Sequence, residues 1–181
     1  MHPDESKLVW EAQNGRQQAF AALAEAYWPK VYRWLFRLSD HPHLAEDLTQ
    51  EAFLKAWSAL PTLAEGSRFR SWLFAIARNC FLQAKRRGRD EEKLPETIAS
   101  PIASPEGAAL EEETRLLLES ACRRLPEHYR AAFLLWTYED MSYHEIAEVL
   151  GTTEVTARWR VCKARRFLLS ELKPYLEQHV S

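Results

Sequence analysis

Five cations, Arg158, Arg160, Lys163, Arg165 and Arg166, crowd into one short stretch near the end of this chain of 181 residues. Guanidinium and ammonium groups at that density suit pairing with phosphate oxygens and with the acceptor edge of guanine. A base contact of that kind is worth about 1–3 kcal/mol of discrimination. At helical offsets Arg158, Trp159, Cys162 and Lys163 share one side, while Arg160 and Arg165 or Arg166 lean toward its margins. A second constellation sets aromatics beside cations: Arg68, Phe69, Arg70, Trp72, Phe74 and Arg78, followed by Asn79. Aromatic faces hold unstacked bases, and arginine adds cation–π and phosphate contacts. The Asn79 amide has a donor and an acceptor for a base edge. Trp72 and Phe74 also fit a core, and at least one of them is expected there. Lys85, Arg86, Arg87 and Arg89 extend the basic surface. They also suit the negative C-terminal end of a helix, and the acids at 90–92 offer them partners within the chain.

A third group is acidic. Asp47, Gln50, Glu51 and Leu54 fall at helical offsets of zero, three, four and seven, so one face carries all four. A solvated face and a docking surface for a basic partner are both open readings. Acid–base catalysis is not expected, because no His or Cys completes a constellation nearby. His41, His43, His128 and His144 have no Cys or His at ligand spacing, so neither a metal site nor a cofactor is expected. Cys80, Cys122 and Cys162 are odd in number and far apart, which argues against a disulfide framework and for a reducing cytoplasm.

The elements that position these groups read as helices throughout. Ser142 with Glu145 three residues on is a capping box, and Ile146, Ala147, Val149 and Leu150 supply the buried side of a helix. Gly151 stands where a left-handed C-cap is needed, and Thr153 can cap a second helix bearing the cations. That is helix-turn-helix geometry, which sets its second helix in the DNA major groove; a helical hairpin with a solvated basic face is the alternative. Upstream, Phe20, Leu23, Tyr27, Val31, Leu35 and Leu38 recur at helical spacing, with a kink or fresh start expected at Pro29. Further helices are expected from Leu44 to Trp57, from about Ser71 to Arg87, from Leu110 to Leu125, and after Pro126.

Composition is ordinary for a globular chain, with 46% hydrophobic and 28% charged residues. No apolar run approaches the roughly 20 residues of a membrane span, so no membrane insertion is expected. The N-terminal MHPDESKLVW has acids and no apolar core, so it does not read as a secretory signal. The net charge of −2 is segregated: residues 90–119 hold nine acids against two bases, a net −7, which leaves +5 elsewhere. Segregation of that kind favours a nucleic-acid partner despite the near-neutral total. Inside the acidic segment, LPETIASPIASPEG holds three prolines and few large apolar residues, the composition of a flexible linker.

The order of motifs resembles an extracytoplasmic-function (ECF) sigma factor of the sigma-70 family. The resemblance rests on AFAALAEAYWPKVYRWLFRL, AEDLTQEAFLKAW, SRFRSWLFAIARNCFLQAKRR, RRLPEHYRAAFLLWTYEDMSYHEIAEVLG and the arginine-rich helix, and covers nearly the whole chain. It implies an all-α fold of two small helical domains joined by a flexible acidic linker. Region 2 would span 1–88, the linker 89–109 and region 4 110–181. It further implies binding to core RNA polymerase (its beta and beta-prime subunits) through Asp47, Gln50, Glu51 and Leu54. It assigns the −10 element to Arg68, Phe69, Arg70, Trp72, Arg78, Asn79, Lys85, Arg86 and Arg87, with a flipped base held by the loop at 61–67. The −35 element would fall to Thr156, Arg158, Trp159, Arg160, Cys162, Lys163, Arg165 and Arg166. The linker would mimic RNA phosphates in the polymerase's RNA path, and an anti-sigma factor would occlude both domains until a signal arrives.

One departure stands out. Members commonly have a Gly-Thr-Val step and a small residue where this chain has Val155, Thr156, Ala157 and Trp159. The −35 preference therefore does not carry over, and Trp159 has a sugar, a thymine methyl or a partner surface open to it. Two other classes compete: a stand-alone helix-turn-helix regulator with a dimerising or sensory N-terminal half, and a helical enzyme or adaptor. The first would bind duplex DNA tightly without polymerase; the second has no nucleotide, metal or nucleophile motif behind it.

Overall fold

The computed structural model describes residues 3–63, 69–90 and 109–179. Within them the chain is all-helical: α1 (Pro3–Gln13), α2 (Gln17–Ser39), α3 (Pro42–Ala59), a 3-10 turn (Leu60–Thr62) and α4 (Phe69–Asp90) form one half. The other half comprises α5 (Ala109–Arg124), α6 (Glu127–Tyr138), α7 (Tyr143–Leu150) and α8 (Glu154–His179). Arg68, residues 64–67 of the proposed base-holding loop, and residues 91–108 of the acidic segment lie outside the described residues. Among the described residues no helix is long and apolar enough to cross a membrane.

Two elements differ from the sequence expectation. α1 precedes the helical periodicity that starts at Phe20 and is not among the expected helices, although Leu8, Val9 and Ala12 give it an apolar side. The Tyr27 hydroxyl ties it to α2 by donating to Glu5 at 2.9 Å. At Pro29, where a kink or a fresh start is expected, the helix does not restart, and α2 continues from Gln17 to Ser39 with the proline inside it. Pro29 is exposed while Tyr27, Val31 and Leu35 are buried, so the donor it lacks is missing on the solvent side and packing holds the helix.

The capping signals behave as their chemistry requires. Ser142 Oγ accepts the Glu145 N–H at 3.2 Å, and the Glu145 carboxylate accepts the Ser142 N–H at 2.9 Å. Gly151 ends α7 at φ +54°, and Thr153 Oγ accepts the Thr156 N–H at 3.2 Å to open α8. At the other end of the molecule His41 takes a structural role, its Nδ1 accepting the Leu44 N–H at 3.2 Å to cap α3.

The sequence does not announce that the two halves pack on each other. α2 and α4 meet α6 and α7 in one continuous apolar cluster. Trp34 of α2 lies at its centre, 2% exposed, with its ring 5.5 Å from Phe74 and its Nε1–H aimed at the Ala131 carbonyl at 3.5 Å. Polar contacts flank the seam. On one side Arg70 pairs with Glu145 and donates to the Glu139 carbonyl at 3.2 Å, while Ser71 donates to Glu148 at 2.8 Å. On the other, Arg130 donates to the Leu38 carbonyl at 2.8 Å, Arg123 pairs with Asp40 at 3.5 Å, and Arg37 lies over the Tyr138 ring at 4.1 Å. Lys85 reaches Glu127 farther along α4.

Two predictions follow from this arrangement. Gly151→Ala forces a side chain into left-handed backbone at a cost of about 1–2 kcal/mol. Its Cβ would meet Arg78 Nη1 at an ordinary 3.7 Å, so the loss, read by urea denaturation, is a backbone effect. The second concerns pH. Burial alone raises the Glu145 carboxyl, but hydrogen bonds from Arg70 and Ser142 outweigh it and hold the group below its ordinary 4.5. Its stabilisation is thus present above about pH 4.5 and lost as pH falls through the lowered value. Glu145→Gln keeps a capping side chain and removes the charge. In urea melts at descending pH, the midpoint should fall less in the variant than in the parent chain. Glu139 titrates with the opposite sign, since burial raises its carboxyl, so only the difference between the two chains isolates Glu145.

Candidate nucleic-acid interface

α8 divides cleanly into two sides. Ala157, Val161, Ala164 and Leu168 are buried at offsets of zero, four, seven and eleven, which seats that side against α6 and α7 and against the small cluster that α5 and α6 form with it. The opposite side therefore faces water, and it carries Val155, Arg158, Trp159, Cys162, Lys163 and Arg166, all exposed. Arg158 is 3.8 Å from Glu154 and lies over the Tyr143 ring at 5.2 Å. Lys163 lies over the Trp159 ring at 5.6 Å, and Trp159 meets Tyr129 edge to face at 5.5 Å.

The rest of the expected recognition set is diverted. The Thr156 hydroxyl pairs with that of Thr153 at 2.9 Å and helps close the helix start. Arg165 folds over the Trp136 ring at 5.1 Å. Arg160 is half-buried and turned toward α4, where burial first and the Arg160 charge second hold the Arg78 guanidinium below its ordinary value.

α4 separates residues that the sequence groups together. Phe69 is fully buried, 5.5 Å from Tyr27, so its ring belongs to the core and has no face to offer a base. Phe74 is likewise core. Arg70, Arg78 and Lys85 lie on the side that meets the second half, and Arg70 and Lys85 hold carboxylates there. Trp72, Asn79, Gln83 and Arg86 follow one another at spacings of seven, four and three on a different side, with Asn79 and Arg86 exposed, Arg87 exposed beside them, and Trp72 half-buried against Phe69. In this arrangement that second stripe is the more open to a nucleic acid, while Arg70 and Lys85 are engaged with carboxylates.

On α3, Asp47, Gln50 and Leu54 are exposed, and Leu54 stands 63% open within a polar face. Glu51 is half-buried and pairs with Lys55 at 2.7 Å, and Lys55 also donates to Gln83 of α4 at 3.0 Å. The hydrogen bond to Glu51 raises the Lys55 pKa. Behind this face burial pushes the Cys80 thiol up, and burial pushes Cys122 up to about 11, so both behave as small apolar groups. Cys162 is the exposed cysteine. No group of three His, Cys, Asp or Glu among the described residues could hold a metal ion.

Sequence reasoning missed the residues that act between the halves: Ser71, Glu139, Glu148 and Arg130. Glu145 was legible as a cap but not as the partner of Arg70, seventy-five residues away. The available signal was α6, where five consecutive residues from Ala131 to Leu135 are all buried. A helix that is apolar all round must be covered on more than one side.

The model of sigma-70 region 2 matches residues 23–91, and that of sigma-70 region 4 matches residues 115–168. The RNA polymerase sigma-H factor of Pseudomonas aeruginosa is 31% identical over 186 residues, covering 96% of each chain. The ECF RNA polymerase sigma factor SigE of Mycolicibacterium smegmatis is 37% identical over 164 residues, 88% of this chain, which spans 62% of that relative's length. Among solved structures, the sigma factor RpoE in complex with the anti-sigma factor NepR from Bartonella quintana is 29% identical with a TM-score of 0.72, over 85% of this chain and 96% of that one. CnrH in complex with the cytosolic domain of CnrY is 25% identical with a TM-score of 0.71, over 94% of this chain and 98% of that one. Helical regions 2 and 4 in their proper order, with relatives that include ECF sigma factors and one aligned over 96% of both chains, identify the chain as a member of the ECF class of sigma-70 RNA polymerase sigma factors.

Proposed function

We propose that this sigma factor docks on the beta and beta-prime subunits of core RNA polymerase through α3, reads and opens the −10 element with α4, and reads the −35 element with α8. The observation that carries the reading is the water-facing side of α8, where Arg158, Lys163 and Arg166 project opposite a buried face behind a capped tight turn. Docking rests on Asp47, Gln50 and Glu51 around Leu54, an exposed apolar anchor within a polar rim. Strand opening rests on Trp72 and Asn79, with Arg86 and Arg87 on the backbone. Arg70, Arg78 and Lys85 join them only once region 4 has moved away, because their present surroundings are carboxylates and a neighbouring arginine.

An anti-sigma factor fits the same picture. The arrangement of both halves is similar to that of a sigma factor held by its anti-sigma factor. An inhibitor that binds both halves together would keep the seam around Trp34 closed. The protein would act in the cytoplasm, where core polymerase is, and catalyse no reaction of its own.

Run-off transcription with purified core polymerase, with and without this chain, should give a transcript that depends on it; none from any of several candidate promoters would end the reading. Asp47→Ala with Glu51→Ala should weaken core binding roughly tenfold or more with helical content unchanged. Unchanged affinity would refute the docking assignment. Glu145→Gln, which loosens the seam without touching α3, should raise the apparent affinity for core a few-fold, as expected when only open molecules bind.

A further inference from the structure

Trp159 occupies the centre of the face that α8 turns to water. Measured around the helix it lies opposite Ala157, Val161, Ala164 and Leu168, with Arg158 on one flank and Lys163 on the other. It is 49% exposed, and Val155, one turn toward the helix start on the same stripe, is 79% exposed. The indole is held in place: Tyr129 meets it edge to face at 5.5 Å, and the Lys163 ammonium sits over its ring at 5.6 Å. An ordered apolar patch thus sits inside a ring of cations on the first two turns of a recognition helix.

We infer that Trp159, with Val155, is a specificity-determining element that reads the 5-methyl group of a thymine in the −35 element. The inference rests on α8 being the groove-reading helix. A protein partner seated on this patch would have to cover Arg158, Lys163 and Arg166 as well, and a polyanion with apolar points matches that charge pattern better. In the major groove the thymine methyl is the apolar feature of the base edges, and the N-terminal turns of a recognition helix are the part that meets those edges. A sugar contact would come from the margin of the helix, where Arg160 and Arg165 lie, rather than from its centre. Contacts with Tyr129 and Lys163 restrict the indole before binding, which lowers the side-chain freedom lost on contact.

The test uses holoenzyme reconstituted from core polymerase and the full chain. A promoter library with a randomised −35 region is selected for binding, and each thymine in the selected element, on either strand, is replaced by deoxyuridine. That removes one methyl and leaves every hydrogen bond in place. One replacement should weaken binding roughly fourfold, the value of one buried methyl group. Trp159→Ala should bind the thymine and deoxyuridine promoters equally, and Trp159→Leu should retain part of the difference. Equal binding of both promoters by the parent chain, a selected element without thymine, or a difference that survives in Trp159→Ala would each overturn the inference. Arg158→Ala and Lys163→Ala serve as the control on the underlying reading. If they weaken −35-dependent binding while deoxyuridine has no effect, only the methyl contact fails; if they too have no effect, α8 is not the reader.

Discussion

Burial of Trp34 between the two halves is the constraint from which the rest of this arrangement follows. Its indole removes a large apolar surface from water and meets both Phe74 of its own half and the Ala131 carbonyl of the other. Truncating such a side chain costs about 3–5 kcal/mol, whereas each partly exposed ion pair at the rim contributes about 0–1 kcal/mol. The seam is thus held by packing, and the flanking contacts set its register. Arg130 illustrates the second role. It donates to the carbonyls of Leu38 and Arg123, near the ends of α2 and α5, and so aligns one helix terminus from each half.

The same seam decides which functional groups are available. Arg70, Arg78 and Lys85 are basic residues of α4 that face region 4. Glu145 gains a second function there, since one carboxylate caps α7 and also holds Arg70. Trp72, Asn79, Arg86 and the outward side of α8 stay open. On the proposed roles of α4 and α8, one set of contacts would be ready for DNA and another would be released only when the halves part. Closure and the proposed promoter reading would then compete for the same cationic groups, and anything that grips both halves would adjust their balance.

Much of the fold was legible from local chemistry. The capping box at Ser142, the left-handed Gly151 and the cap at Thr153 define their turn through contacts within a few residues, and all three hold in the structure. The polar stripe of α3 and the cationic stripe of α8 follow from helical spacing alone. A fresh helix start at Pro29 is what the local rule expects, and burial of Tyr27, Val31 and Leu35 carries α2 through it instead. Phe69 was misassigned because an aromatic beside arginines looks the same whether its ring faces a base or Tyr27.

The sequence by itself determined the helices after α1, the caps at Ser142, Gly151 and Thr153, and the charged sides of α3 and α8, because those properties depend on neighbours three or four residues apart. Only the tertiary structure decided which charges are spent. Arg70 finds Glu145 and Lys85 finds Glu127 across separations of seventy-five and forty-two residues. No periodicity encodes such pairs; they exist because an apolar seam, worth more than any of them, brings the two halves together.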